Sequence, residues 1–311
     1  MAGLAWVGIS GFSYGGWQGM FYPDDLPKSH WRDFAVSQFN AVELNASFYG
    51  TILPKTYARY RQAPGDRPFR WAIKGNRFIT HRRRLRDRTS LANFFASGVL
   101  ELGEAMGPIL WQLPPRMNWE PEVLATFLAW LPKDSDAAAR LARHHDDNVK
   151  EPRLKGAYEG PLIHVMEVRS RDMIRPEMFE MLAEHEVGFV LTDSAGNWPY
   201  AEEITSGVVY CRLHGHQQTY ASRYTDDELD WWAERARAWM AGRDWDDPVR
   251  ATDAAARSGC IGQEHDVYFF FDNDSRGHAP FDARRLAQRL DAVPSTAEER
   301  ASLFCRAPEG D

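Results

Sequence analysis

The sequence predicts a single-domain α/β fold, a TIM-type (β/α)8 barrel, and three observations carry that prediction. Its 311 residues suit one large barrel. Eight short β-rich runs alternate with helix-like stretches, the pattern that builds a parallel sheet. The competing open, doubly wound sheet marks its cofactor site with G-x-G-x-x-G after the first strand. Here Gly8, Gly11 and Gly15 have the wrong spacing.

Strands are expected at residues 6–10, 41–47, 69–75, 108–113, 162–169, 188–193, 208–214 and 266–272. Helices are expected at 31–39, 54–61, 91–105, 121–131, 176–185, 226–241 and 283–290. Pro54, Pro121 and Pro176 open three of them, where a missing N–H is harmless. The sixth crossover, 195–206, is short for a helix, so the barrel is expected to be irregular there. The barrel domain spans 1–293, with an insertion at about 133–160 whose Ala/Arg/Leu centre reads as one exposed helix. Residues 294–311 read as a polar, frayed tail.

Hydrophobic residues make up 44 % of the chain, enough for a sizeable core. The net charge of −7 argues against bulk, non-specific nucleic-acid binding, which rests on neutralising phosphates. Cys211, Cys260 and Cys305 are scattered and odd in number, which suits neither a disulfide framework nor a zinc knuckle and fits a reducing cytoplasm. The N-terminus lacks the pattern of a signal peptide. No apolar run reaches the roughly 20 residues that cross a bilayer, so no membrane partner is expected.

In such a barrel the chemistry sits at the C-terminal strand ends. Strand two ends with Glu43, Asn45 and Ser47 on one face, and strand three with Lys74 and Asn76. Strand four ends at Gln112, strand five with Glu167 and Arg169, and strand six with Asp193. Strand seven ends with Arg212 and His214, and strand eight with Asp272 and Asp274. Buried charges are costly unless paired. Two readings stay open: a salt-bridge ring that closes the mouth, or a preorganised polar cavity whose acids hold cations against an anionic ligand.

The stretch 74–88, KGNRFITHRRRLRDR, holds seven Lys/Arg residues against one acid. Arg82–Arg84 read as a solvated face. Lys74 belongs to the strand end, and His81 with the nearest arginines is expected to hang over the mouth as an electrostatic funnel. Tyr49, Tyr220, Phe48 and Tyr224 follow strand ends, where rings can stack on a sugar or base or form a hydrophobic lid. Trp231 and Trp232 are expected in the core.

Two motifs compete with this picture. Residues 11–15 form G-x-S-x-G, but the turn-like continuation lacks the helix a nucleophile elbow needs. Ser10, Ser13 and Tyr14 are therefore expected to line the pocket. Glu43, Glu167, Asp193, His214 and Asp272 are candidate ligands for a divalent metal, although three cations compete for the same carboxylates. No cofactor is otherwise expected.

The runs GFSYGGWQGMFYP, VELNASFYG, KGNRFITH, LWQLPPR, EVRS, CRLHG and FDNDSRGHAPFDA resemble the domain-of-unknown-function 72 family, also called YecE-like proteins, from about residue 7 to 290. The resemblance implies a TIM-type barrel. It implies that Glu43, Asn45, Lys74, His81, Gln112, Glu167, Arg169, Arg212, His214, Asp272 and Asn273 are motif positions. It supplies no reaction, and its likeness to the metal-dependent barrels of endonuclease IV and xylose isomerase is one of fold.

Three functions follow as expectations. The first is an enzyme, hydrolase or isomerase, acting on an anionic, phosphorylated, sugar-like or nucleotide ligand. Glu43, Glu167 and His214 would be its acid/base groups. Asn45, Tyr49, Lys74, Asn76, His81, Gln112, Arg169, Arg212, Tyr220, Asp272 and Asn273 would bind the ligand. The second is a metal-dependent hydrolase or isomerase. The third is a non-catalytic module that grips a nucleic-acid fragment through residues 77–88 and the loop tyrosines.

Overall fold

The computed structural model describes residues 3–245, 247–251 and 262–293. Eight parallel strands close in sequence order, with β1 pairing both β2 and β8. They are β1 Ala5–Ser10, β2 Ala41–Leu44, β3 Arg70–Lys74, β4 Met106–Gln112, β5 His164–Glu167, β6 Val187–Asp193, β7 Val208–Leu213 and β8 Asp266–Phe271. Around them lie α1 Trp31–Gln38, α2 Ala46–Tyr49, α3 Pro54–Gln62, α4 Arg88–Ala96, α5 Pro121–Trp130, α6 Ser135–Ala142, α7 Pro176–Glu184, α8 Asp226–Met240 and α9 Ala279–Arg289. The expected barrel is present. The expected tail 294–311 and two cysteines, Cys260 and Cys305, lie outside the described residues. Among the described residues no helix is long and apolar enough to cross a membrane.

Strand alternation builds two separate cores. Inward positions such as Trp6, Leu110, Val165, Val190, Tyr210 and Phe270 pack into one cluster inside the barrel. Outward neighbours such as Val7, Ile9, Ile109, Leu191 and Phe269 join the layer beneath the helices. Each such side chain contributes about 1.5–3 kcal/mol on burial. Gly8 faces inward where a Cβ would stand 1.8 Å from the Ala41 carbonyl oxygen, so β1 and β2 can approach only without a side chain there.

Several elements differ from expectation for local reasons. Strand β2 stops at Leu44, and Ala46–Tyr49 turn as the short α2, so Ser47 leaves the strand face. Helix α4 starts at Arg88 because the Asp87 carboxylate accepts from the Thr89 and Ser90 amides at 3.0 and 3.3 Å. It ends at Ala96 because Gly98 takes a left-handed φ of 96°, and residues 99–105 continue as a separate 3₁₀ segment. The insertion helix α6 is not fully exposed: Ala138, Leu141 and Ala142 are buried against the helical layer.

The sixth crossover carries no helix between Asp193 and Val208. Ion pairs hold it instead. Glu202 is buried and accepts from Arg235 Nε at 2.6 Å, the Tyr200 hydroxyl at 2.8 Å and the Val249 amide at 3.0 Å. Thr205 Oγ1 accepts from the Phe189 amide and donates to the Val187 carbonyl, lashing the segment to β6. Trp198, in this crossover, thereby reaches the barrel mouth.

Candidate functional site

At the C-terminal face every strand delivers one inward polar side chain. In order these are Ser10, Glu43, Lys74, Gln112, Glu167, Thr192, Arg212 and, just past β8, Asp272. All eight are buried or nearly so, Asp272 keeping 13 % of its side chain exposed. Beneath them lies the apolar inner cluster, so the polar layer forms the floor of the mouth.

Arg212, fully buried, is the hub of that layer. Its Nε and Nη2 donate to the two oxygens of Glu43 at 3.1 and 2.9 Å. Its Nη1 donates to Glu167 Oε2 at 2.8 Å, and Nη2 also reaches Asp272 Oδ2 and Ser10 Oγ, both at 3.0 Å. Glu43 further accepts from the Ser10 hydroxyl at 2.5 Å and the Tyr210 hydroxyl at 2.6 Å. Four donors therefore occupy the Glu43 carboxylate, and no lone pair is left for an incoming proton.

Glu167 accepts from Arg169 Nε at 2.6 Å as well as from Arg212. Burial alone would raise its pKa, but Arg169 and Arg212 outweigh that and hold the carboxyl well below the usual range. Asp272 follows the same logic: burial raises it, and Arg212 and His214 bring it down to about 2. His214 is buried, and desolvation, then Arg212, lower its pKa. The ring is thus neutral at pH 7. Its Nε2 faces Arg212 Nη1 at 3.4 Å, which places the proton on Nδ1. That nitrogen lies 3.0 Å from Asp272 Oδ2, but without hydrogen-bond alignment.

Lys74 is the exception among the charged groups of the layer. It is 8 % exposed, yet its Nζ forms no ion pair or hydrogen bond within the described chain, its near contact being the Phe48 ring at 4.6 Å. Desolvation, then Arg212, pushes its pKa down to about 8 against the pull of Glu43, Glu167 and Asp272. Arg169 spends only Nε on Glu167 and sits over Trp198, its guanidinium carbon 3.7 Å from the ring centroid. Asn45 donates to Ser10 Oγ at 3.0 Å while its Oδ1 is buried without a partner, as is Gln112 Oε1. Orphaned buried acceptors ask for a ligand or water.

The other expected residues scatter. His81 packs edge-on against Phe48 at 5.2 Å and feels Lys74 and Arg169, so it reaches the mouth. Tyr220, at a left-handed φ of 66°, stands edge-on to His214 at 5.3 Å. Asn76 caps its own turn, accepting from the Phe78 amide and donating to the Ser47 carbonyl. Asn273 donates to Asp282 and the Ser222 carbonyl and so ties two loops together. Tyr49 is exposed with Arg77 over its ring. Arg83 pairs with Asp87 and Arg86 with Glu120, so two of the run's cations are answered by acids at its outer face. Ser13 is exposed, Phe48 and Tyr224 are buried, and Trp231 is 36 % exposed rather than core.

Asp193 does not join the layer. By strand parity Thr192 points inward and Asp193 away, where it accepts from the Tyr224 hydroxyl at 2.9 Å and meets His216 at 3.2 Å. The donor set expected for a divalent metal is thus divided. Glu43, Glu167 and Asp272 already surround a guanidinium that occupies the place of a cation. Among the described residues no three His, Cys, Asp or Glu side chains group as a metal site. The residues present do not fit that ion.

Sequence reasoning missed Thr192, Tyr210, Trp198 and a role for Asp274. Parity counted back from Arg212 finds Tyr210. Asp274 was recognisable as sharing a face with Asp272, and burial, then Asp272, raises its carboxyl to about 6. Trp198 carries no local signal.

A closed, parallel eight-stranded barrel with a buried ionic mouth defines a TIM-barrel protein. The chain belongs to the family described as protein of unknown function DUF72, whose model matches residues 6–303. A DUF72 family protein of Thermotoga maritima superposes with a TM-score of 0.65 at 21 % identity, covering 93 % of this chain and 99 % of that one. One from Enterococcus faecalis gives 0.65 at 15 % identity, covering 94 % and 99 %. A 3-keto-D-glucoside 4-epimerase of E. coli gives 0.47 at 12 % identity over 86 % and 96 %, a likeness that carries no functional argument. No curated protein matches the chain.

Proposed function

We propose that the barrel mouth is the active site of an enzyme, hydrolase or isomerase, for a small ligand that carries an anionic group. One observation carries the reading: two inward cations, Lys74 and Arg169, keep donors that no carboxylate uses, beside orphaned acceptors on Asn45 and Gln112. Arg169 anchors the anion against Trp198, and Asn45 and Gln112 take hydroxyl donors of the ligand. Arg212 and Glu43 act as the fixed floor, since their hydrogen-bonding groups are taken. Acid/base work falls to neutral His214, beside Asp272, with Asp274 as a second group titrating near neutrality.

Calorimetric titration with inorganic phosphate tests this. The expected result is saturable binding that weakens about tenfold to a hundredfold in Arg169→Met, the cost of a hydrogen bond to a charged group. Absence of binding by phosphate, sulfate and small carboxylates alike would overturn the reading.

A further inference from the structure

We infer that Lys74 is a carbonyl-reactive amine that forms an iminium with a small aldehyde or ketone bearing an anionic group. The inference rests on the barrel-mouth reading above and narrows its substrate class.

The chain holds six lysines, and five of them, Lys28, Lys55, Lys133, Lys150 and Lys155, are exposed. Lys74 alone is buried, and its Nζ has no acceptor, only the wall of the Phe48 ring at 4.6 Å. Buried lysines are normally paired. Here three carboxylates stand in the same layer and each is turned to Arg212 instead. The groups that act on Lys74 are Arg212 from β7, Glu43 from β2, Glu167 from β5 and Asp272 after β8, while His81, from the turn after β3, feels both Lys74 and Arg169, two residues past β5. Their field does not hold the ammonium: its pKa falls to about 8. Roughly a tenth of the amine is then free at pH 7, against less than a thousandth for an ordinary lysine. A desolvated lysine of this kind is a competent nucleophile toward carbonyls.

The step balances without a further reactant. The Nζ lone pair attacks the carbonyl carbon, a C–N bond forms, and the carbonyl π pair moves to oxygen, which takes a proton. After Nζ sheds a proton, the carbinolamine loses its hydroxyl, protonated, as water, and the nitrogen pair closes the C=N bond. Amine, carbonyl compound and one proton thus give iminium and water, and water reverses the reaction. Asp274, which titrates near 6, borders the mouth as a proton carrier, and the unused end of Arg169 takes the anionic group.

Reductive methylation of the folded protein with formaldehyde and cyanoborohydride, read lysine by lysine by peptide mass spectrometry from pH 6 to 10, tests the amine. Lys74 is expected to label at least about tenfold faster than any exposed lysine at pH 7, with a midpoint near pH 8. Glycolaldehyde phosphate with borohydride should then trap on Lys74, and do so less in Arg169→Met. The inference is overturned if Lys74 stays unlabelled, if it titrates with the exposed lysines, or if the phosphorylated aldehyde is trapped on exposed lysines alone. Phosphate binding that persists beside an inert Lys74 would sink the carbonyl inference and leave the anion site standing. A reactive Lys74 in a protein that binds no anion would sink the anion site and the anionic-group clause together.

Discussion

Arg212 grips Glu43 side-on across the barrel, Nε to one carboxylate oxygen at 3.1 Å and Nη2 to the other at 2.9 Å. The fork joins β7 to β2 and fixes both side chains with no freedom to rotate. It also makes the remaining charges tolerable. Glu43, Glu167 and Asp272 are balanced by Arg212, Arg169 and Lys74, three against three, in a layer with almost no water contact.

Removing the hub leaves three carboxylates without their shared cation. Arg212→Met is expected to lose about 3–5 kcal/mol of stability, the usual cost of stranding a buried charge. Arg212→Lys should recover only part of this, because an ammonium cannot fork onto Glu43. Urea denaturation of both variants checks it; a loss below about 1 kcal/mol in Arg212→Met would contradict a hub role.

Lys74 should act in the opposite sense. Its proton is bound more weakly in the folded chain, about 8 against 10.5 when unfolded. Below pH 8 it is charged in both states and the folded state bears the desolvation cost. Between about 8 and 10.5 the folded protein releases its proton first, so stability rises with pH across that window. Lys74→Met is expected to be more stable at pH 7 by on the order of 1–3 kcal/mol and to lose that rise. Thermal melts from pH 7 to 10.5 on both proteins decide the point.

Asp272 sets part of the acid limit. Its folded pKa of about 2 lies below the ordinary 3.8, so its stabilising contribution is complete above about pH 4 and fades as pH falls toward 2. Asp272→Asn should therefore be less stable at pH 7 and show a shallower acid transition between pH 4 and 2. Equal slopes in the two proteins would show that the carboxylate is not held by Arg212 as described.

Trp198 is the wall behind Arg169, with the guanidinium carbon 3.7 Å from its centroid. It also stands 5.0 Å from His214, edge to face. Trp198→Leu is expected to weaken phosphate binding about threefold to thirtyfold, the range of a partly desolvated cation–π contact. It should leave the melting temperature closer to the parent than Arg212→Met does. Unchanged affinity would show that Arg169 needs no such wall.

Strand-end chemistry was legible because it follows a period of two along one short segment. Glu43, Lys74, Gln112, Glu167 and Arg212 all lie where that period puts them. Asp193 shows the limit. A count set by the end of a strand, not by its interior, slips one residue and turns a side chain to the opposite face. The packed position of Val190 inside the barrel, known only from the fold, assigns Thr192 to the mouth. Likewise the acid Asp87, which starts α4 earlier than expected, and the left-handed Gly98, which splits an expected long helix, act through cap and turn geometry that periodicity does not register.

The sequence by itself determined the number and order of strands, their alternation with helices, and the presence of acids and cations at their ends. Those are local properties, written in runs of five to ten residues. Only the tertiary structure decided which charge answers which. Residues 43, 167, 212 and 272 meet because eight strands close on themselves, and the bidentate grip of Arg212 takes the carboxylates that Lys74 would otherwise hold. Competition among distant partners for one cation depends on distances of a few ångströms, and no spacing along the chain encodes them.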